Sequence, residues 1–407
     1  MDVQTAILLV LSALICAELG YWGMVAFRAS REMREAPWLQ AALRGPQPTT
    51  WPTVSVVVPA HNEERGVAAC AQSILRSQYP ALEVIFVLDR CTDGTLAALQ
   101  PLASADPRLR IIQNQSCPPD WAGKCNAVRV GAEAATGQLL LFTDADTQFH
   151  PDLVRASVAL LQQRALSMLS LLSAPRHDRW FENVVQPMAS FALLKLFPIR
   201  RANAGAKRRP FANGQFMLFE RSAYAQLGGH ASVKDDLLED LAFARNMKRA
   251  GMPQGVAISG GMLGVSMYDS WKSFQQGWRR IYIESCRRNP QRMFGQALQL
   301  GMVGVVLPLA RDAAIVLGAL ALMDHAPGLA GVVAGFAVTA GAVALGTRMA
   351  VLASIYAVSR FPIWAVLLYP VSAAAVALIF VQGGLDLRAR RPVRWGGRQY
   401  VLEPTSH

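Results

Sequence analysis

The chain has 407 residues, enough for one large domain or two, and 52% of them are hydrophobic against only 17% charged. With a positive mean hydropathy of +0.24, this composition excludes an ordinary soluble enzyme and implies a membrane. The net charge of +12 comes without any nucleic-acid-binding motif and much of it flanks apolar segments, so anionic lipid headgroups, not nucleic acid, are the expected partner.

Residues 5–27, TAILLVLSALICAELGYWGMVAF, are apolar apart from Glu18 and long enough to cross a hydrocarbon core of roughly 30 Å. Residues 1–28 are therefore expected to be an N-terminal transmembrane anchor. A cleaved secretory signal fits less well, because Asp2 is the charged side chain ahead of the run and such signals start positively charged. Arg28, Arg31 and Arg34 follow it, and the positive-inside rule then places the N-terminus outside and the chain from Arg28 onward in the cytoplasm.

Between 52 and 292 no segment is long and apolar enough to span, and the pattern is that of a water-soluble α/β domain. Val54-Ser-Val-Val-Val-Pro59 reads as a buried parallel strand. The loop Ala60-His61-Asn62-Glu63-Glu64 follows it, then an amphipathic helix near 65–78. A second strand, Glu83–Leu88, ends in Asp89 and the turn Arg90–Thr95, where Asp93 is expected to cap the next helix. Strand, helix and strand in alternation predict a doubly wound sheet.

Leu139-Leu-Leu-Phe-Thr143 predicts another buried strand, ending in Asp144-Ala-Asp146. Side chains at i and i+2 of an extended segment point the same way, so the two carboxylates converge at a strand's C-terminal edge, where open α/β sheets bind ligands. They repel unless a cation lies between them, and oxygen ligands of this kind suit Mg²⁺ or Mn²⁺ held jointly with a substrate's phosphates. Residues 184–199 are apolar but broken by Pro187 and Lys195, which predicts an interfacial helix lying flat on the membrane. The basic loop Arg200–Arg209 follows, then a strand over Phe211–Phe219 near the site. Leu237–Ala244 reads as a helix with Glu239 and Asp240 at its start.

Further apolar stretches lie near 298–323, 328–346 and 362–383, within an expected membrane region of 297–385. Arg311-Asp312 in the first is costly in lipid and is expected to meet Glu18 in a helix bundle unless that stretch is re-entrant. The basic tail 386–407 should lie on the cytoplasmic side with the domain. That demands an even number of crossings, so one stretch is expected not to cross fully. Six cysteines and six histidines show neither C-x-x-C nor zinc spacing and read as structural, with the thiols reduced.

The ordered set Pro59-Ala60-His-Asn62-Glu63-Glu64, Asp89 with Asp93-Gly-Thr, Gly123-Lys124-Cys-Asn-Ala, Asp144-Ala-Asp146 and Glu239-Asp240 resembles family 2 glycosyltransferases of the GT-A fold over about 52–290. The membrane segments, Pro118–Lys124 and Trp395-Gly-Gly-Arg-Gln-Tyr400 are similar to the membrane-bound subgroup associated with hopanoid and carotenoid synthesis. The resemblance implies that Pro59, Ala60, Asn62, Glu63 and Asp89 hold the nucleoside of a nucleotide-sugar, usually uridine. It implies that Lys124 lies near the phosphates, that Asp146 and Asp144 meet the divalent cation, with Asp144 also near the nucleotide, and that Asp240, supported by Glu239, is the general base. Processive members carry Gln-x-x-Arg-Trp, and Gln276-Gly-Trp-Arg279-Arg280 keeps the Gln and Arg, expected at the diphosphate, but lacks the final Trp. Transfer of a single sugar to a membrane lipid is therefore the expected activity, in an integral protein of a bacterial inner or cell membrane. Transfer to a polyprenyl phosphate, polysaccharide synthesis and a non-catalytic lipid scaffold are the alternatives.

Overall fold

The computed structural model describes residues 2–176, 178–395 and 398–405. A largely apolar sequence with a charged last third, capped by Asp2, whose carboxylate accepts from the Thr5 amide at 2.7 Å, forms helix α1 (Val3–Glu35). The α/β domain then runs β1 (Val54–Ala60), α2 (Val67–Leu75), β2 (Leu82–Asp89), α3 (Thr95–Ala105), β3 (Leu109–Asn114), α4 (Gly123–Ala134), β4 (Leu139–Thr143), β5 (Thr147–Phe149), α5 (Leu153–Gln163), β6 (Met168–Leu172) and β7 (Ala174–Pro175). It continues through α6 (Trp180–Val184), α7 (Gln186–Leu196), α8 (Ile199–Ala202), β8 (Phe216–Glu220), α9 (Arg221–Gln226), α10 (Glu239–Arg249), β9 (Gln254–Ile258), β10 (Leu263–Val265) and α11 (Trp271–Ser285).

The main sheet has seven strands in the order β3-β2-β1-β4-β8-β6-β9, parallel except for β8, which runs antiparallel to β4 and β6. Its strands are apolar at successive positions because both faces are covered. Val54, Val56, Val58, Phe86 and Leu141 pack on one side, and Val57, Ile85, Val87 and Phe142 on the other, against α4 and α10. From β1 the chain crosses to β2 in one direction and later to β4 in the other. This reversal leaves a crevice above the C-terminal ends of β1, β2 and β4.

Past the domain come α12 (Pro290–Gly301), a π-helical turn at Met302–Val306, α13 (Leu307–Met323), α14 (Gly328–Val358) and α15 (Tyr369–Arg388). A short hairpin, β11 (Val393–Trp395) and β12 (Arg398–Tyr400), follows, and Gly396 and Gly397 of the closing motif lie outside the described residues. Among the described residues four helical segments are long and apolar enough to cross a membrane: Val3–Glu35, Pro290–Met323, Gly328–Val358 and Ile363–Arg388. Glu18 and Arg311 do meet, at 2.8 Å and essentially without solvent exposure, and Arg348 adds a second cation 3.9 Å from the same carboxylate oxygen. Removing one partner of such a pair leaves an uncompensated buried charge, so Arg311→Leu is expected to lower stability by about 3 kcal/mol, readable as a shifted melting curve in detergent.

The last of these segments, Ile363–Arg388, has contacts with the domain near both of its ends. Near its start, the Arg360 guanidinium lies over Gly261 of the domain, in space that a Cβ would occupy. The Tyr369 ring then sits deeper in the bundle, 5.5 Å from Trp22 and beneath Arg348. At its end, Asp386 pairs with Arg279 of α11 at 2.8 Å. Arg360 and Asp386, near the two ends of this segment, thus both contact the domain.

The stretch expected as a flat interfacial helix, 184–199, packs against protein over much of its surface. None of residues 181–200 is exposed, because α7 is wedged between domain and bundle. Trp278 Nε1 donates to Gln186 Oε1 at 3.1 Å, Tyr282 Oη donates to the Ala189 carbonyl at 3.0 Å, and Ser372 Oγ donates to the Val184 carbonyl at 2.7 Å. Part of its apolar surface packs against α11 and α15, while Phe191, Leu193, Leu194 and Leu196 stay half-buried.

Candidate active site

The crevice opens into a cavity of about 1770 Å³. Pro59, Ala60, Glu63, Asp89, Lys124, Asp144, Asp146, Glu239, Asp240 and Gln276 all line it. Ten sequence-predicted residues on seven different elements or loops therefore converge, while Asn62 and Arg279 stand apart from the cavity wall.

Asn62 shapes the loop behind the wall. Its backbone is left-handed, at φ 58°, a conformation Asn tolerates better than most side chains. Its Oδ1 accepts from the Thr92 amide at 2.8 Å and ties the 60–64 loop to the 90–95 turn. Across the same seam the Glu63 amide donates to Thr95 Oγ1 at 2.8 Å, and the Glu64 carboxylate accepts from the Gly94 amide at 3.0 Å. Asp93 accepts from the Thr95 and Glu64 amides at 3.1 and 3.2 Å, so it pins both sides of the seam, while Gly94 occupies the helix cap position.

Asp89 ends β2 and is only 3% exposed. It accepts from Asn114 Nδ2 at 2.9 Å and from the Arg90 guanidinium at 2.5 Å, and its carbonyl accepts from His61 Nδ1 at 2.6 Å. A buried carboxylate is tolerable only with such partners.

On the opposite wall, the Lys124 ammonium bridges Asp144 Oδ1 and Glu239 Oε1, each at 2.7 Å. Burial alone would lower its pKa, but the two carboxylates outweigh burial and raise it well above the ordinary lysine range. The same ion pairing outweighs burial at Glu239 and holds that carboxyl below its usual value. Asp240 is fixed through both oxygens, Oδ1 by the Leu241 amide at 2.7 Å and Oδ2 by the Gly214 amide at 2.8 Å. The approach at Gly214 is close, since a Cβ there would lie 3.3 Å from Asp240, Glu239 and Lys124 at once. Burial first, and the neighbouring Glu239 second, push the Asp240 carboxyl up to about 7.

Asp146 is held by its backbone, whose carbonyl accepts from the Ser266 amide at 3.2 Å. Its Oδ1 is buried and has no hydrogen-bond partner, and burial, then Asp144 and Glu63, drive its pKa well above the carboxylate range. Glu63 is itself raised to about 7, by burial and then by Asp144. An orphaned carboxylate oxygen beside two further carboxylates is the electrostatic signature of a cation position, and the donor set suits Mg²⁺ or Mn²⁺. Among the described residues no group of three or more His, Cys, Asp or Glu is arranged to hold a metal ion.

Arg279, expected at a diphosphate, is corrected. Asp386 on α15 offers it a mostly buried counter-ion at 2.8 Å, and it is Arg280 that lines the cavity, one helical turn from Gln276, with Nη1 donating to the Leu237 carbonyl at 2.8 Å. Arg279→Gln is expected to cost about 1 kcal/mol of stability and to leave the donor KM within about twofold, checked by melting and initial-rate measurements. The basic loop also divides its labour. Arg208 is buried and donates to the Met247 and Met252 carbonyls at 3.0 and 2.6 Å, so it braces the fold, while Arg209 lines the cavity over the Phe197 ring.

His61, Gly214, Tyr268 and Arg280 also line the cavity and were not predicted. His61 lies inside a recognised loop and Arg280 inside a recognised segment, so both had a signal. Tyr268 follows β10 beside Asp146, and nothing in the local sequence marks it.

Residues 55–228 match the family model described as Glycosyl transferase family 2. The chain is 25% identical over 310 residues to a beta-monoglucosyldiacylglycerol synthase of Nostoc sp., across 72% of this chain and 64% of that protein's length. It is 22% identical over 262 residues to a 4,4'-diaponeurosporenoate glycosyltransferase of Staphylococcus haemolyticus, across 63% of this chain and 68% of the relative. A solved mannosyltransferase, PcManGT from Pyrobaculum calidifontis in complex with GDP-Man and Mn²⁺, aligns over 92% of this chain and 99% of its own at 22% identity, with a TM-score of 0.49. Residues 55–228 thus form a family 2 glycosyltransferase domain, set between an N-terminal apolar helix and a C-terminal group of them.

Proposed function

We propose that this protein transfers a single sugar, with inversion, from a nucleotide-sugar, UDP-linked in the favoured reading, to a lipid acceptor at the cytoplasmic face of a membrane. One observation carries the reading. The cavity that holds Asp144, Asp146, Glu239 and Asp240 is walled at its other end by Tyr21, Val25 and Phe27 of α1 and by Val351, Ile355 and Val358 of α14, helices apolar enough to lie in lipid. A water-soluble donor and a membrane-bound acceptor therefore reach the same carboxylates from opposite ends. The named activities of the Nostoc and Staphylococcus relatives support a lipid acceptor, although the chain spans only 64% of the former.

Each residue has a role set by its surroundings. Pro59, Ala60, Glu63 and Asp89 form the nucleoside end, where a carboxylate accepts from base N–H or ribose hydroxyl groups. Asp146 and Asp144 would hold a divalent cation, which would supply positive charge opposite the leaving diphosphate. Lys124 complements the same phosphates, exchanging its contact with Asp144 for a phosphate oxygen when the donor enters. Asp240 accepts the proton of the acceptor hydroxyl as that oxygen attacks the anomeric carbon, and direct displacement inverts the centre. Glu239 keeps Lys124 charged and raises the basicity of Asp240. The basic residues after α1 and in the tail, with the domain contacts near both ends of the last segment, support reading that segment as re-entrant, with three full crossings and the domain and tail together in the cytoplasm. Mass spectrometry of membrane lipids from cells with and without the protein tests the reading: a lipid heavier by one sugar, present only with the protein, is expected, and identical lipid profiles contradict it.

A further inference from the structure

The membrane-side end of the cavity contains a polar feature that the catalytic groups do not explain. α1 packs along α13 and α14, and where its lower end approaches the domain the cavity wall passes to α7 and, through Gln299, to α12. Met24 and Phe27 on α1 and Val358 on α14 line this end while 39, 63 and 44% exposed, so the cavity reaches an apolar outer surface there. At the same end lie two cations, Arg28 from α1 and Lys195 from α7. Lys195 Nζ donates to Gln299 Oε1 at 2.5 Å, a neutral partner that bridges α7 to α12.

The nearby acids are committed elsewhere. Glu32 and Glu35 face Arg200, with Glu35 also paired to Arg31 at 2.6 Å, and Asp144 and Glu239 hold Lys124. Among the described residues no carboxylate lies within ion-pair distance of Lys195 or Arg28. Burial, with Arg28 adding like charge, lowers the Lys195 ammonium to about 8, which shows how poorly compensated it is. An unpaired cation pair at the apolar end of a cavity is stabilised by an anion arriving from the lipid side.

We infer that Lys195 and Arg28 form a headgroup site for an anionic lipid, holding its phosphate or carboxylate at the lateral mouth of the cavity while its chains remain in the bilayer. The inference rests on the lipid-acceptor reading for its purpose but not for its measurement. The anion belongs either to the acceptor or to a neighbouring acidic phospholipid, and the two sources give opposite kinetics.

The experiment uses the full-length protein, wild type and Lys195→Gln/Arg28→Gln, with Lys195→Arg as the charge-preserving control. Native mass spectrometry reads retention of phosphatidylglycerol against diacylglycerol, independently of any transfer. The wild type is expected to prefer phosphatidylglycerol by about thirtyfold, the worth of two surface cations, and the double variant to lose that preference while Lys195→Arg keeps it. Hydrolysis of the nucleotide-sugar donor, unchanged in all three, shows that the site remains folded. In phosphatidylcholine vesicles, added phosphatidylglycerol raises the wild-type acceptor KM if it competes with an acidic acceptor and lowers it if it fills the site beside a neutral one; the double variant responds to neither. Equal retention of the two lipids by wild type, or a preference that survives in the double variant, overturns the inference. Loss of donor hydrolysis in wild type would instead count against the transferase reading.

Discussion

Asp240→Asn is expected to lower the rate of transfer by about 10³-fold while leaving donor binding close to wild type, the loss appropriate to a positioned general base. The asparagine fills the same space and keeps an oxygen for one of the two amides that hold Asp240, those of Gly214 and Leu241. It cannot take a proton. The same carboxyl sets the pH response. Burial and Glu239 raise it to about 7, and a base works only when ionised, so activity should fall about tenfold per pH unit below about 7 and level off above it. The linkage sign gives an internal control. A carboxyl raised in the folded state stabilises the fold at low pH, and that contribution is lost as pH rises from its unfolded value near 4 through about 7. At pH 8 the variant should therefore melt no lower than wild type, separating lost chemistry from lost structure.

Asp146→Asn should act on a different step. It removes the carboxylate whose buried oxygen is without a partner and whose charge is opposed by burial, Asp144 and Glu63. In the absence of metal and donor this relief should raise stability, by about 1 kcal/mol. With metal and donor present the effect reverses, because the cation then has one carboxylate fewer to hold it against the diphosphate. Metal-dependent donor affinity should fall about 10²-fold or more. Calorimetric titration of the nucleotide-sugar, with and without Mn²⁺, reads this directly: wild type should show a metal-dependent enhancement that the variant lacks. A variant that gains stability and loses metal-dependent binding is hard to explain unless a cation sits there.

Much of this site was legible because its residues stand at places the backbone fixes. Asp89, Asp144 and Asp146 follow buried apolar strands, and a strand's end in an α/β sheet has one functional side. Glu239 and Asp240 begin a helix whose apolar spacing is plain, and the cost of Glu18 and Arg311 in lipid pointed to their meeting as one of two readings. What failed to show was direction at finer grain. Arg279 and Arg280 are neighbours on one helix, and only the position of Asp386, more than 100 residues later, decides which of them leaves the cavity. The 184–199 stretch reads as apolar whether its partner is lipid or protein, and hydropathy cannot distinguish α11 and α15 from acyl chains. For the same reason the last segment reads as a span, although Gly261 and Arg279 hold both of its ends at the domain.

The central claim is that one cavity joins a metal-assisted donor site to a membrane acceptor through Asp240. Purified full-length protein in lipid nanodiscs, supplied with radiolabelled UDP-sugar and Mg²⁺ or Mn²⁺, tests it most directly when the label is followed into extracted lipid. The account predicts a product bearing one sugar, abolished by chelation and by Asp240→Asn. Undiminished labelling in that variant, or a ladder of products longer than one sugar, would contradict it.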